Sequence, residues 1–143
     1  MDEASTGGDF FAMDVTQLVE AAVGVRKQAH APYSNFSVGA ALECSDGTVF
    51  VGCNVENLSF GLTMCAERVA IGAAVAAGHR DFRCIAIVAD TDLPVSPCGA
   101  CRQVMAEFNP SLRIISSNLS GQAEEFSLAD LLPRAATGIL NRH

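Results

Sequence analysis

Residues 83–89 read Arg-Cys-Ile-Ala-Ile-Val-Ala, an unbroken apolar run behind a single arginine. A run of that length without polar alternation suits a strand covered on both faces. Layers are therefore required on either side of it, and the rest of the chain supplies them. Residues 15–30 place Leu18, Ala22, Val25 and Ala29 at helical spacing, with Asp14 or Thr16 to cap the start and Pro32 to end the run. The apolar stretches 38–42 and 49–55 are joined by Ser45-Asp46-Gly47 and predict a β-hairpin. Residues 65–77 are Ala-rich, stop at Gly78 and predict a second helix. Pro94 and Pro97 make 91–97 a loop, and 98–108 sets Cys101, Val104, Met105 and Phe108 along one face of a third helix. Residues 112–116 read as a strand, and 128–132 as a short closing helix stopped by Pro133. The order αββαβαβ, without internal repeats, predicts the α/β class, with a mixed sheet carrying helices on both faces. The 143 residues divide into a tail over 1–13, mobile or weakly docked, and one domain over 14–143.

Composition narrows the function. Half the residues are hydrophobic, 17% are charged and the mean hydropathy is +0.28, which excludes disorder and points to apolar surface buried between subunits. Nine basic against sixteen acidic residues give a net charge of −7, the wrong sign for a nucleic-acid partner. The longest apolar runs, 69–77 and 84–89, fall far short of the ~20 residues of a membrane span. Residues 1–14 carry four acidic side chains and no Lys or Arg, unlike a secretory signal, so the expected compartment is the cytoplasm. In that compartment the six cysteines stay reduced, and clustered ones read as metal ligands.

Cys65, Cys98 and Cys101 all fall at expected helix N-termini, where unpaired N–H groups and the helix dipole favour the thiolate that zinc requires. The i, i+3 spacing aims Cys98 and Cys101 at one point. Three thiolates leave a fourth position for water, as in a catalytic zinc site; a fourth ligand from Cys53 would make a closed structural one, and spacing alone leaves both open. Glu67, two residues beyond Cys65, sits within reach of such a water and is the candidate proton shuttle, although an isolated glutamate there would only complement the helix dipole. A thioredoxin-like redox pair would give no reason for Cys65-Ala66-Glu67. Cys44 and Cys84 read as small buried residues, as does Cys53, and His30, His79 and His143 have no partner at ligand spacing.

A metal ligand two residues before a glutamate, followed by Pro-Cys-x-x-Cys, is the layout of zinc deaminases that act on nucleobases. Over residues 32–133 the chain resembles the small, homotetrameric cytidine deaminases. The resemblance rests on Ala31-Pro32-Tyr33-Ser34-Asn35-Phe36, Cys53-Asn54-Val55-Glu56-Asn57, Cys65-Ala66-Glu67-Arg68 and Ser96-Pro97-Cys98-Gly99-Ala100-Cys101-Arg102-Gln103, in that order. It implies a three-layer α/β/α sandwich whose mixed central sheet has about five strands. It implies one Zn²⁺ per subunit on Cys65, Cys98 and Cys101, whose hydroxide attacks C4 of cytosine while Glu67 transfers protons. Asn54 and Glu56 would hold the ribose, the Ala66 N–H the pyrimidine carbonyl, and Phe36 would pack on the base. The implied reaction is hydrolytic deamination of cytidine and deoxycytidine to uridine and deoxyuridine plus ammonia, in pyrimidine salvage.

Around that site, Arg68 is expected to donate to the ligand sulfurs and tune the metal, with Gln103 a weaker candidate of the same kind. Glu56 and the net charge of −7 favour a free nucleoside over a nucleotide. The small residues of 69–77, Gly72 among them, suit either a seam between subunits or an ordinary core helix. Two positions depart from the family pattern: Phe60 stands where many relatives carry Tyr, and 134–143 has no aromatic where relatives commonly have Phe. Alternative readings are a deaminase for a modified cytosine nucleoside and a non-enzymatic structural zinc module.

Overall fold

Helix α1 (Val15–Arg26) starts where the Asp14 carboxylate accepts the Thr16 N–H at 3.1 Å, and is followed by strands β1 (Val38–Cys44) and β2 (Val49–Cys53). A 3₁₀ turn at Phe60–Leu62 precedes α2 (Ala66–Ala76), β3 (Phe82–Ala89) and α3 (Gly99–Phe108). The remaining elements are β4 (Arg113–Asn118), β5 (Ala123–Ser127) and α4 (Leu128–Leu131). The computed structural model describes residues 14–135; the expected tail, 1–13, and the end of the chain, 136–143, lie outside the described residues.

The five strands form one sheet in the order β2-β1-β3-β4-β5. Only β3 and β4 run parallel, joined by a crossover through α3; every other neighbouring pair is antiparallel. Successive residues of the central strands point to opposite layers, as the strand repeat demands. Ala40, Leu42, Ile85, Ile87 and Ile114 join the core built with α2 and α3. Ala41, Ala86, Val88 and Ile115 pack with Leu18 and Ala22 of α1. All of β3 except Arg83 is buried, as its unbroken apolar run requires, and the three-layer α/β/α sandwich follows.

Close backbone packing draws the helices onto the sheet. A Cβ on Gly52 would lie 2.4 Å from the Ala70 nitrogen and 2.6 Å from the Ala66 carbonyl oxygen, so only glycine lets β2 pass under α2. A Cβ on Gly39 would lie 2.0 Å from the Ala22 carbonyl oxygen of α1. The hairpin turn has Gly47 at φ 90°, with the Asp46 carboxylate accepting the Thr48 N–H.

The elements differ from the sequence expectation in three places. Helix α1 ends at Arg26, not at residue 30: the His30 N–H donates to the Asn54 carbonyl and the Glu56 N–H to the His30 carbonyl, and these bonds pull the chain away. Strand β2 ends at Cys53 for the same reason, Val55 being engaged with His30 and Met64 as single bridges. Strand β5 was not located by the hydrophobic pattern, because it is an edge strand of Ala-Glu-Glu-Phe-Ser with mostly exposed residues. Its position is fixed by the turn before it, where Gly121 has φ 90° and the Asn118 side chain accepts the Ser120 and Gln122 N–H groups.

Candidate metal centre and active site

The register pairs Val38 with Ala89 and Gly39 with Cys53, so the start of β1 and the ends of β2 and β3 meet at one edge of the sheet. The chain leaving β2 carries Asn54 and Glu56, the chain leaving β3 leads to Cys98, and α2 starts beside them. Cys65 is the N-cap of α2 and Cys98 the N-cap of α3, as the helix-terminus argument expects. The Sγ atoms of Cys98 and Cys101 are 3.3 Å apart and those of Cys65 and Cys98 3.8 Å. All three lie within 4.8 Å of one another, the sole group of three or more His, Cys, Asp or Glu donors of that kind among the described residues. Cys53 does not join it. Cys44 and Cys84 are buried elsewhere in the sheet, and burial lifts the Cys84 thiol to about 11.

The electrostatics suit a dication. The Cys65 thiol is lowered to about 5, chiefly by the hydrogen bond from Cys101 and then by Arg68 and Cys98, against the cost of burial. Cys101 is pushed up, first by its bond to Cys65 and then by burial. A divalent ion bound there would draw off the thiol protons that remain. Arg68 Nη2 donates to Cys65 Sγ at 3.4 Å, as the reading of Arg68 anticipated, and its Nε is buried without a partner. The donor set, three soft sulfurs with an adjacent guanidinium and two helix N-termini, fits Zn²⁺.

Glu67 follows in the first turn of α2 and is only 5% exposed. Burial pushes its carboxyl up, and the neighbouring Cys65 charge adds to the rise. The N-cap Cys65 makes no side-chain hydrogen bond to the leading N–H groups of α2, of which Ala66 carries the first.

A family model for the zinc-binding region of cytidine and deoxycytidylate deaminases matches residues 13–116. The chain belongs to this deaminase family. It is 53% identical over 124 residues to a cytidine deaminase of Sporosarcina psychrophila, spanning 86% of this chain and 91% of that one. It is 51% identical over 126 residues to one of Halalkalibacterium halodurans, spanning 87% and 96%. Among solved structures, the cytidine deaminase of Burkholderia pseudomallei superposes with a TM-score of 0.84 at 53% identity, covering 87% of this chain and all of that one. The present deaminase is thus a zinc-dependent enzyme, with the expected α/β/α sandwich.

A cavity of about 440 Å³ is lined by Tyr33, Ser34, Glu56, Phe60 and Thr63, which brings in Glu56 of the expected substrate contacts. Glu56 Oε1 accepts the Tyr33 and Ser34 N–H groups at 3.0 and 3.1 Å, and Oε2 accepts the Ser34 hydroxyl. Those bonds, Ser34 first, hold the Glu56 carboxyl below its ordinary value. Asn54 is buried; its Oδ1 accepts the Val38 N–H at 2.9 Å and its amide donates to the Phe36 carbonyl at 2.8 Å. Phe36 is 39% exposed, which removes it from the core and leaves its ring available at the rim. Gln103 is exposed and donates to the Ala135 carbonyl at 3.4 Å, whereas Arg102, which the sequence reading did not single out, bonds the turn before Cys98. The only sequence signal for Arg102 is its place directly after a ligand.

Proposed function

We propose that this enzyme hydrolyses cytidine and deoxycytidine to uridine and deoxyuridine, releasing ammonia, and works in pyrimidine salvage. The observation that carries the reading is a three-sulfur cluster without a fourth His, Cys, Asp or Glu donor among the described residues, next to a desolvated glutamate. Cys65, Cys98 and Cys101 would hold Zn²⁺, whose Lewis acidity makes water a competent nucleophile near neutral pH.

Around that centre the side chains divide the work. Glu67 would take a proton from the attacking water and pass it to N3 of the pyrimidine as the C4–O bond forms, then take the proton of the new C4 hydroxyl and pass it to the amine as the C4–N bond breaks and the carbonyl forms. Its burial supports this role, because a carboxyl with a raised proton affinity gives and takes protons more evenly. The Ala66 N–H, at the positive end of α2, binds the pyrimidine 2-carbonyl. Phe36 packs on the base. Asn54 and Glu56 bind ribose hydroxyls, with a sugar hydroxyl replacing Ser34 on Glu56 Oε2. The carboxylate charge of Glu56 disfavours a phosphorylated sugar.

The assembly we propose is a homotetramer of one-zinc subunits. Leu58, Phe60 and Leu62, exposed at 78%, 73% and 67%, support an apolar surface destined for cover. Gly72, Ala73 and Ala76 on the open face of α2 would permit close helix approach there. Six free cysteines support residence in the reducing cytoplasm.

The test is ammonia release and the ultraviolet change from cytidine, deoxycytidine and cytidine 5′-phosphate, with zinc analysis of the same preparation. Turnover of both nucleosides at one zinc per chain, and little of the phosphate, is expected. A stoichiometric zinc protein inert towards all three would contradict the reading.

A further inference from the structure

Cys98 is the exposed member of the sulfur cluster. It caps α3, and its sulfur has one backbone donor, the Cys101 N–H at 3.4 Å. The chain reaches it through residues 90–98, which form neither helix nor strand. A ligand at the end of such a loop keeps its direction only if the loop is tied down.

Arg102 provides that tie. Its Nε donates to the Pro97 carbonyl at 2.8 Å, its Nη2 to the Ser96 hydroxyl at 3.3 Å and its Nη1 to the Leu131 carbonyl at 3.2 Å. The Pro97 carbonyl shares a peptide plane with the Cys98 nitrogen, so fixing that oxygen fixes the plane from which the Cys98 Cα–Cβ bond departs. Arg102 follows Cys101 on α3, so one guanidinium joins both ligand positions through bonds of fixed geometry. The Leu131 carbonyl lies in the last turn of α4, which brings the segment after β5 into the same bracket. Lysine presents its three donors from a single nitrogen and has no planar fork to span acceptors that three separate guanidinium nitrogens reach.

We propose that Arg102 is a positioning residue that holds Cys98 in ligand geometry by clamping the Ser96-Pro97 turn against the end of α4. The proposal rests on the reading that Cys65, Cys98 and Cys101 hold the zinc, which zinc stoichiometry of the unaltered protein and of Cys98→Ser tests separately. Arg102→Met keeps the apolar stem and removes every donor; Ser96→Ala removes one acceptor; Glu107→Ala, at an exposed position of the same helix, is the control.

The readouts are the rate of zinc transfer to a chromogenic chelator below the unfolding range, and the thiolate-to-metal absorption of the cobalt-substituted protein. Zinc release from Arg102→Met is expected to rise about 10-fold or more, the usual range for loss of an outer partner. Ser96→Ala should show a smaller rise in the same direction, Arg102→Lys should fail to restore the wild-type rate, and Glu107→Ala should not differ from wild type. The cobalt band should change in Arg102→Met. Wild-type release and cobalt spectra in both Arg102→Met and Ser96→Ala would overturn the proposal. Release that rises only in step with a lowered urea midpoint, with an unchanged cobalt band, would also overturn it. Should Arg102→Met not fold, Arg102→Lys and Ser96→Ala decide by the same two readouts.

Discussion

Three thiolates on one Zn²⁺ leave a net charge of −1, which opposes making a nucleophile from water. Arg68, with Nη2 3.4 Å from Cys65 Sγ, lies where it offsets that charge. Substituting Arg68→Gln should lower kcat about 10-fold while zinc stays near one per chain; kcat and metal content measured on one sample check this, and an unchanged kcat refutes it. At Glu56 the sign of the pH effect follows from its environment. The Ser34 hydroxyl and two N–H groups favour the anion, so the carboxylate persists as pH falls through the ordinary glutamate range near ~4.3. KM for cytidine should therefore show no rise attributable to Glu56 between pH 7 and about 5, whereas Glu56→Gln should raise KM throughout; steady-state profiles of both proteins test it. Side chains that act through spacing were legible in sequence. Cys98 and Cys101 converge because i and i+3 share a helical face, and Glu67 because it follows a ligand in the same turn. Arg102 and Ser34 were not legible, since their partners are the Pro97 and Leu131 carbonyls in one case and Glu56 in the other, groups that only the completed fold brings near.

Helix α2 has Cys65 as its N-cap and carries Glu67 and Arg68 in its first turn, so its height above the sheet sets where these side chains stand. Gly52 sets that height. Substituting Gly52→Ala puts a Cβ against backbone atoms of Ala66 and Ala70, which cannot swing aside as a flexible side chain would. The strain should cost about 1–3 kcal/mol and appear as a lower Tm together with weaker zinc retention, because Ala66 adjoins Cys65. Calorimetry with zinc analysis measures both, and a wild-type Tm would contradict the packing argument. The buried elements were readable from pattern. Strand β3 announced itself by its apolar run, and α2 by alanine content and Gly78. Strand β5 was not, because its exposed glutamates lack strand periodicity and its place depends on pairing with β4.

On the scale of the whole molecule, the apolar side chains left on the surface gather near the site. Tyr33 and Phe60 meet edge to face at 5.9 Å on the wall of the 440 Å³ cavity, and Leu58 and Leu62 stand beside them in the chain. Water is a poor cover for that many exposed apolar groups, and a neighbouring subunit would bury them. Light scattering should give about four times the chain mass, and Leu58→Asp with Leu62→Asp should shift it towards smaller species; a monomer at all concentrations would refute the assembly. The layered architecture followed from the order of elements, while the place of the site at one edge of the sheet and the extent of exposed apolar surface emerged only from the fold.

The account as a whole depends on Glu67 moving protons without ligating the metal. Glu67→Gln preserves the size of the side chain and removes its acid/base function. Zinc content and cytidine turnover, determined on the same preparation, test this most directly. Retained zinc at one per chain with turnover reduced at least ~10²-fold is the predicted result. Turnover close to wild type, or loss of zinc in parallel with activity, would contradict it.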